Sequence, residues 1–559
     1  MSRGRFLIPS LLLAVALLVR VAGLETIPPG FFADEAYTGY DAYCLQQTGA
    51  DLWGRPWPLY FASWGGDAEE GMYRYLCLPF VALLGPTPLA VRLPAALVGA
   101  LTVLLTYLLG RRLLGGVGGA VAAGLLALSP WHVAISRIGF RAILLPAAVT
   151  ASAWLLCRAL GIQEGVPGAA PPAHPRTAWL LAFATGAAAL YTYAVAKAFV
   201  PLLGLWILWV FRRQARRRPL ALAGLLAVGV ILVAPAAWET IARRGQVRFE
   251  RISALRSEVL REAEEGLRQE HPALRKLPAG GARAAAAVVV LSRNYFSHAT
   301  PGFLFVAGDG NLRHGPGGLG QLFWIEGALL ALGIAAALRR RAAVDGWLVG
   351  WLLLGPLPDS ITSDRVPNAL RSLVTLPAPE LLAGAGAAVV VAWAASIRLR
   401  HPVAAAAIVA LPLAAFVGEG ARFAYRYTTT YPAAAAPFFN AGYAEGILAL
   451  EAESPPEATL LVARPEDHRV ERFALNPYLH SLILFHTRRP PAAWQGGGGL
   501  GRFDVVRIPE SGRIGAAALP PTAWMLLPAD RAAPESVRRW IPGPDGRPLL
   551  AIISRRGGD

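Results

Sequence analysis

The chain has 559 residues, 55% hydrophobic and 16% charged, with a mean hydropathy of +0.44. A soluble globular fold of this length cannot bury so much apolar surface, so lipid is the solvent for most of the chain. The net charge of +17 does not point to nucleic acid, whose binders gather arginines on one soluble face; here many basic residues sit in short clusters between apolar runs, and no nucleic-acid partner is expected.

A bilayer-spanning helix needs about 20 mostly apolar residues. Such runs fall near 6–24, 89–109, 117–130, 142–160, 178–194, 197–211, 219–237, 321–338, 343–357, 369–396 and 402–418. They predict an all-α polytopic membrane protein of about eleven transmembrane helices over residues 1–418. The first run is followed by an acidic loop rather than a small-residue cleavage site, so it reads as a retained helix and not as a signal peptide. The clusters Arg3/Arg5, Arg111/Arg112, Arg158 with Arg176, Arg212 to Arg218, Arg339 to Arg341 and Arg398/Arg400 fall at every second junction, which marks that side as cytoplasmic. Between Glu25 and Glu70 there are eight acids and one base, Arg55; this loop is expected outside. A second external segment, about 239–320, mixes charges at helical spacing between Arg248 and Arg268, as a solvated or interfacial helix does. Residues 419–559 are richer in Pro, Gly and charge, with strand-like runs at Thr459 to Val462 and Leu549 to Ile553, and predict a small external α/β domain. The run Gly496 to Gly499 lacks a following Lys-Ser/Thr and reads as a turn, not a phosphate loop. Cys44, Cys77 and Cys157 have no metal or disulfide spacing and read as packing residues.

The sharpest local signal is Pro28-Pro29-Gly30-Phe31-Phe32-Ala33-Asp34-Glu35, two adjacent carboxylates just beyond the first span. Two acids beside a membrane are costly unless something uses them. Neighbours on a helix point about 100° apart, so one acid faces a cavity while the other braces the helix. The competing reading is that Asp34 is simply the N-cap of a helix from Glu35 to Gln47. Arg20, near the outer end of the first span, needs a partner, for which Asp34 or a lipid head group is expected. Lys197, after Tyr191 and Tyr193, lies in a tight outer hairpin that should be poor in positive charge. Arg137 and Arg141 occupy another short outer loop, and Arg371 follows the outer turn from Pro356 to Pro367. Each of these cations is either a phosphate ligand or a side chain snorkelling to lipid head groups.

The Pro-rich approach to Asp34-Glu35, the acidic loop, and Glu69-Glu70-Gly71-Met72-Tyr73 entering the next apolar run resemble the GT-C glycosyltransferases of the protein O-mannosyltransferase and aminoarabinose (lipid A) transferase type. The strings Ser136 to Arg141, Tyr191-Thr192-Tyr193, Gly308-Asp309-Gly310-Asn311-Leu312-Arg313-His314 and Pro367 to Arg371 are similar to the bacterial branch, and the resemblance covers roughly residues 1–400. It implies an enzyme that moves a sugar from a polyprenyl-phosphate carrier to an acceptor hydroxyl of a lipid, glycan or protein, on the outer face of the cell membrane. Asp34 then matches the first-loop acid that serves as general base or holds a divalent cation, with Glu35 in support. Arg137, Arg141, Tyr193, Lys197, Asp309, Arg313 and Arg371 are the expected ligands of the phosphate and sugar. Glu70 matches an acid that binds a metal together with a loop histidine, for which His314 is the best candidate, while the mannosyltransferase relatives imply that a dedicated metal is not always needed. The loop from Ser129 to Arg141 has no aspartate; if relatives use a second acid there, Glu35, Glu70 or Asp309 takes its place. A transporter would show internal repeats and mid-membrane polar breaks, which the sequence lacks, and a non-catalytic membrane scaffold remains the third class.

Overall fold

In the computed structural model the first apolar run forms α1 (Gly4–Val21). The described residues are 4–62, 68–162, 175–216, 234–235, 237–238, 252–270, 279–465, 479–509 and 511–555. After α1, the turn through Gly30 (φ +72°) delivers the chain into α2 (Ala33–Thr48). A two-stranded antiparallel ribbon, β1 (Tyr60–Ala62) and β2 (Ala68–Glu70), then leads into α3 (Met72–Leu84).

The next two expected spans form one folded-back element, α4 (Pro88–Leu128), interrupted at Gly115 (φ +84°). Thr87 caps it through the Ala90 amide and Pro88 occupies the first turn, where its missing N–H costs nothing. The arms meet at Gly110 and Gly119, where a Cβ on Gly119 would lie 2.3 Å from the Arg111 backbone. Because of this hairpin, both Arg92 and Ala127 end near the C-terminal end of α1, where the site forms. The short helix α5 (Pro130–Ser136) and a 3-10 turn (Arg141–Ile143) connect to α6 (Leu144–Leu160), followed by α7 (Pro175–Ala189) and α8 (Ala196–Val210).

Span 219–237 lies almost wholly outside the described residues. The segment expected to be an external loop contains the charged helix Ser257–Glu270, and also a helix at Ala279–Ser297 that the apolar count missed because Arg283, Arg293 and Asn294 interrupt an Ala/Val-rich run. The helices Trp324–Arg340, Ala343–Leu354, Ala378–Ile397 and Pro402–Thr429 complete the bundle. Small residues let them approach closely: a Cβ on Gly333 would lie 1.8 Å from the Leu382 carbonyl oxygen, and one on Gly386 2.0 Å from that of Leu329, the packing expected where lipid removes the hydrophobic drive between helices. Among the described residues, four helices are long and apolar enough to cross a membrane, Pro88–Leu128, Arg141–Leu160, Leu373–Ile397 and Pro402–Thr429, alongside four shorter apolar helices.

The last long helix runs to Thr429, eleven residues beyond the boundary expected at 418. After it comes a five-stranded sheet of order β4-β3-β5-β7-β6, from β3 (Thr459–Pro465), β4 (Phe503–Ile508), β5 (Ala523–Pro528), β6 (Val537–Pro542) and β7 (Pro548–Ser554). β3 is parallel to β4 and β5, while β7 is antiparallel to β5 and β6. The two strand-like runs in the sequence are β3 and β7. Helices Tyr443–Glu453 and Leu479–His486 cover this sheet, and Leu479–His486 also packs on α2.

Candidate functional site

The first turn of α2 gives the two adjacent acids different surroundings. The helix starts at Ala33 with Phe32 as its N-cap, so Asp34 is not the cap. Glu35 reaches back to the Phe32 N–H (3.1 Å), and is 1% exposed. Its two oxygens also accept Arg92 Nε and Nη2 at 2.8 and 2.9 Å and the Gly139 N–H at 2.7 Å. Arg92 donates further to the carbonyls of Leu24 (3.3 Å), Pro28 (2.9 Å) and Gly30 (2.8 Å). Glu35 is thus a buried brace that locks the Pro28 to Gly30 turn against α4 and turns Asp34, one position earlier, toward a cavity.

That cavity, about 130 Å³, is lined by Asp34, Arg313, His314, Arg365 and Arg371 among others, with Phe32, Phe140, Tyr193 and Phe439 as aromatic walls. Arg313 lies 3.9 Å over the Phe32 ring. Burial pushes the Arg313 guanidinium down to about 10, and the negative charge of Asp34 works against that fall. Two of these residues, His314 and Arg371, are held by buried acids. Asp309 accepts His314 Nδ1 (2.8 Å), the Asn311 N–H (2.8 Å) and the Ala369 N–H (2.9 Å), tying the 308–314 loop to the 367–371 turn. Asp359, fully buried, accepts Arg371 Nε (2.5 Å), His298 Nε2 (2.8 Å) and the Asn368 N–H (2.7 Å), and Arg371 also donates to the Asp364 carbonyl.

Burial raises the Asp309 carboxyl, but His314 and the Asn311 and Ala369 amides outweigh it and hold Asp309 below its usual value of 3.8. A lowered acid contributes stability that is present above its unfolded value and lost as pH falls through the folded one. Melting temperature should therefore fall below about pH 4 in the parent, and Asp309→Asn should lower it at neutral pH while flattening that acid fall. An unchanged acid profile in thermal scans of the variant would remove Asp309 from the ledger of this loop.

Lys197 and Arg141 enter an acidic network beside the cavity. Lys197 Nζ is 3.0 Å from Glu70 Oε1, and Arg141 contacts Glu69 at 2.7 Å and Glu70 at 3.5 Å. The Glu70 oxygen lacks aligned hydrogen-bond geometry, so its contact with Lys197 is a charge contact. Arg74 bridges Glu69 (3.0 Å) and Asp41 (2.7 Å). Tyr193 lines the cavity and stands 5.7 Å from the Arg141 guanidinium. Of the expected metal pair, Glu70 faces Lys197 and Arg141, while His314 bonds Asp309. Among the described residues no group of three or more His, Cys, Asp or Glu is placed to hold a metal.

Two arginines have other work. Arg137 donates to the carbonyls of Val19 (2.7 Å), Ala22 (2.8 Å) and Ile27 (2.8 Å), tying down the chain that leaves α1, and does not line the cavity. Arg20, expected to meet Asp34 or a head group, instead donates to Ala127 (3.0 Å) and Leu126 (3.2 Å) carbonyls at the end of α4 and contacts His132 Nδ1 at 2.9 Å. Sequence reasoning missed Arg92, Arg365 and Asp359. For Arg92 the signal was present: a charge four residues into an apolar run needs a partner as much as Arg20 does.

The family model for dolichyl-phosphate-mannose-protein mannosyltransferases matches residues 72–238. No curated protein matches the chain. Among solved structures, ArnT from Cupriavidus metallidurans bound to undecaprenyl phosphate is 14% identical with a TM-score of 0.51, over 98% of both chains. The same protein in the apo state is 16% identical with a TM-score of 0.51, over 97% of both. The oligosaccharyltransferase AglB from Archaeoglobus fulgidus, in complex with an inhibitory peptide and a dolichol-phosphate, is 14% identical with a TM-score of 0.48, and the match spans 85% of this chain but 65% of AglB. The mannosyltransferase family model thus covers under half of the chain, while the fold is similar to that of ArnT along nearly its whole length.

Proposed function

We propose that the protein transfers a sugar from a polyprenyl-phosphate donor to an acceptor hydroxyl on the outer face of the cytoplasmic membrane. The observation that carries this reading is one carboxylate, Asp34, sharing a cavity with Arg313, Arg365 and Arg371. A hydroxyl is a poor nucleophile near neutral pH, and Asp34 accepts its proton as it attacks the anomeric carbon. The bond from that carbon to the phosphate oxygen breaks as the new glycosidic bond forms, and the phosphate leaves with the electron pair. Charge then grows on the phosphate, where guanidinium groups bind best because each planar fork donates to two oxygens. Asp359 orients Arg371 for that purpose, and Asp309 fixes the loop that carries Arg313. Lys197 and Arg141, already paired with Glu69 and Glu70, hold the cavity's flank and set its field. The positive-inside pattern supports the outer face.

The test is direct. Purified protein in detergent is given a panel of radiolabelled polyprenyl-phosphate sugars and scored for transfer or slow hydrolysis. One donor should be consumed, and Arg371→Met should weaken its binding by the value of a charge-assisted hydrogen bond, about 1.5–3 kcal/mol. Consumption of no donor, together with unchanged polyprenyl-phosphate binding in the Arg371 variant, would overturn the proposal.

A further inference from the structure

The segment after the last long helix reaches back over the turn that carries Asp34. Ala33, the residue before it, is held at both of its backbone groups. Its N–H donates to Asn440 Oδ1 at 3.3 Å, and its carbonyl accepts Ser481 Oγ at 3.0 Å. Phe31 stacks on Phe485 at 4.8 Å, and Tyr40, two turns along α2, donates its hydroxyl to the Arg489 carbonyl at 2.9 Å. From the other side, a Cβ on Gly30 would lie 2.6 Å from the backbone of Ala441, so the approach to α2 and the 439–441 turn are in close contact.

The first N–H groups of a helix have no partner within it. Here Glu35 takes that of Phe32 and Asn440 takes that of Ala33, from 407 residues away. Asn440 adopts φ +51°, a left-handed conformation that asparagine tolerates better than most residues. Its neighbour Phe439 is a wall of the cavity. A residue in that conformation, next to the cavity, with its side chain on the helix that presents the carboxylate, is more than is needed to attach two domains.

We propose that Asn440, assisted by Ser481, is a positioning residue that sets where the Asp34 carboxylate stands in the cavity, so that the C-terminal domain is part of the catalytic apparatus. This rests on the reading of Asp34 as the base. Displacement of a reacting group by about 1 Å can cost on the order of a hundredfold in rate, whereas a helix cap lost from a merely structural site changes stability and leaves kcat alone.

The experiment uses the full chain and the radiolabelled donor. Asn440→Gly keeps the left-handed backbone and removes the acceptor; Asn440→Asp keeps both. Asn440→Gly should lower kcat by at least about tenfold with donor KM within about twofold of the parent, Asn440→Asp should recover most of that loss, and Ser481→Ala should lower kcat by a smaller factor. Asp34→Asn is assayed alongside. If Asp34→Asn transfers at the parental rate, the base assignment fails and this proposal with it. If Asp34→Asn is inactive while Asn440→Gly and Ser481→Ala keep the parental kcat, only the positioning role is overturned. A kcat loss in Asn440→Gly that Asn440→Asp does not relieve also overturns it.

Discussion

Asp34→Asn should cut sugar transfer by at least about a hundredfold, the scale on which a lost general base is felt, and leave the melting temperature almost where it was. The reason lies in the first turn of α2. Capping there is done by Glu35 on the Phe32 amide and by Asn440 on the Ala33 amide, so neither of these two capping bonds depends on Asp34. The substitution removes the attraction of one carboxylate for the positive end of the helix, about 0.3–1 kcal/mol, and weakens the support that Asp34 lends to the charge of Arg313. Asparagine keeps the volume and an acceptor oxygen but cannot take a proton from an attacking hydroxyl. Initial rates with the labelled donor and thermal scans on the same preparations decide the matter. A variant that transfers at close to the parental rate sinks the assignment, and one that is inactive only because it melts early makes Asp34 a structural residue.

How much of this was legible in the sequence depends on how local each signal is. The turn Pro28-Pro29-Gly30 and the helix after it follow from residues adjacent in the chain, and α2 begins two residues from where the sequence placed it. Apolar length found the helices α1, α4, α6, α7 and α8 and those after 321, but it missed the short α3 and the helix Ala279–Ser297, whose two arginines and one asparagine dilute the run. The strands β3 and β7 were visible as short apolar runs, whereas their pairing, with β5 between them, is a tertiary fact. Charge in an unexpected place was a sound signal that something uses it, at Arg20, Lys197, Arg141 and Arg371 alike. It gave no address for the partner. Arg20 ends on the carbonyls of α4, Arg137 on those leaving α1, and Lys197 on Glu70, because the hairpin in α4 and the ribbon β1-β2 bring together residues far apart in the chain. Asp359 was invisible for the same reason: within a Pro-rich turn it is one acid among loop residues, and only the fold gathers His298, Asn368 and Arg371 around it.

Glu35→Ala should destabilise the protein by about 3–5 kcal/mol, the range found when one partner of a buried ion pair is removed. In the parent, Arg92 is fully buried and its charge is balanced by Glu35, with three backbone carbonyls completing its hydrogen bonds. Without the carboxylate those carbonyls remain, but they carry no net charge, and the Phe32 and Gly139 amides lose their acceptor as well. Glu35→Gln keeps one acceptor oxygen and should fall between the alanine variant and the parent. The pair can be isolated by a double-mutant cycle with Arg92→Met, in which the second substitution should cost much less in the Glu35→Ala background than alone, with a coupling of at least about 2 kcal/mol. Additive losses would show that Glu35 and Arg92 act on stability independently. Transfer serves as the second readout, because the two acids are assigned different work: Glu35→Gln should lose melting temperature first and retain measurable kcat. If Glu35→Gln instead melts like the parent and is as inactive as Asp34→Asn, the division of labour between brace and base is the wrong way round, and the proton passes through Glu35.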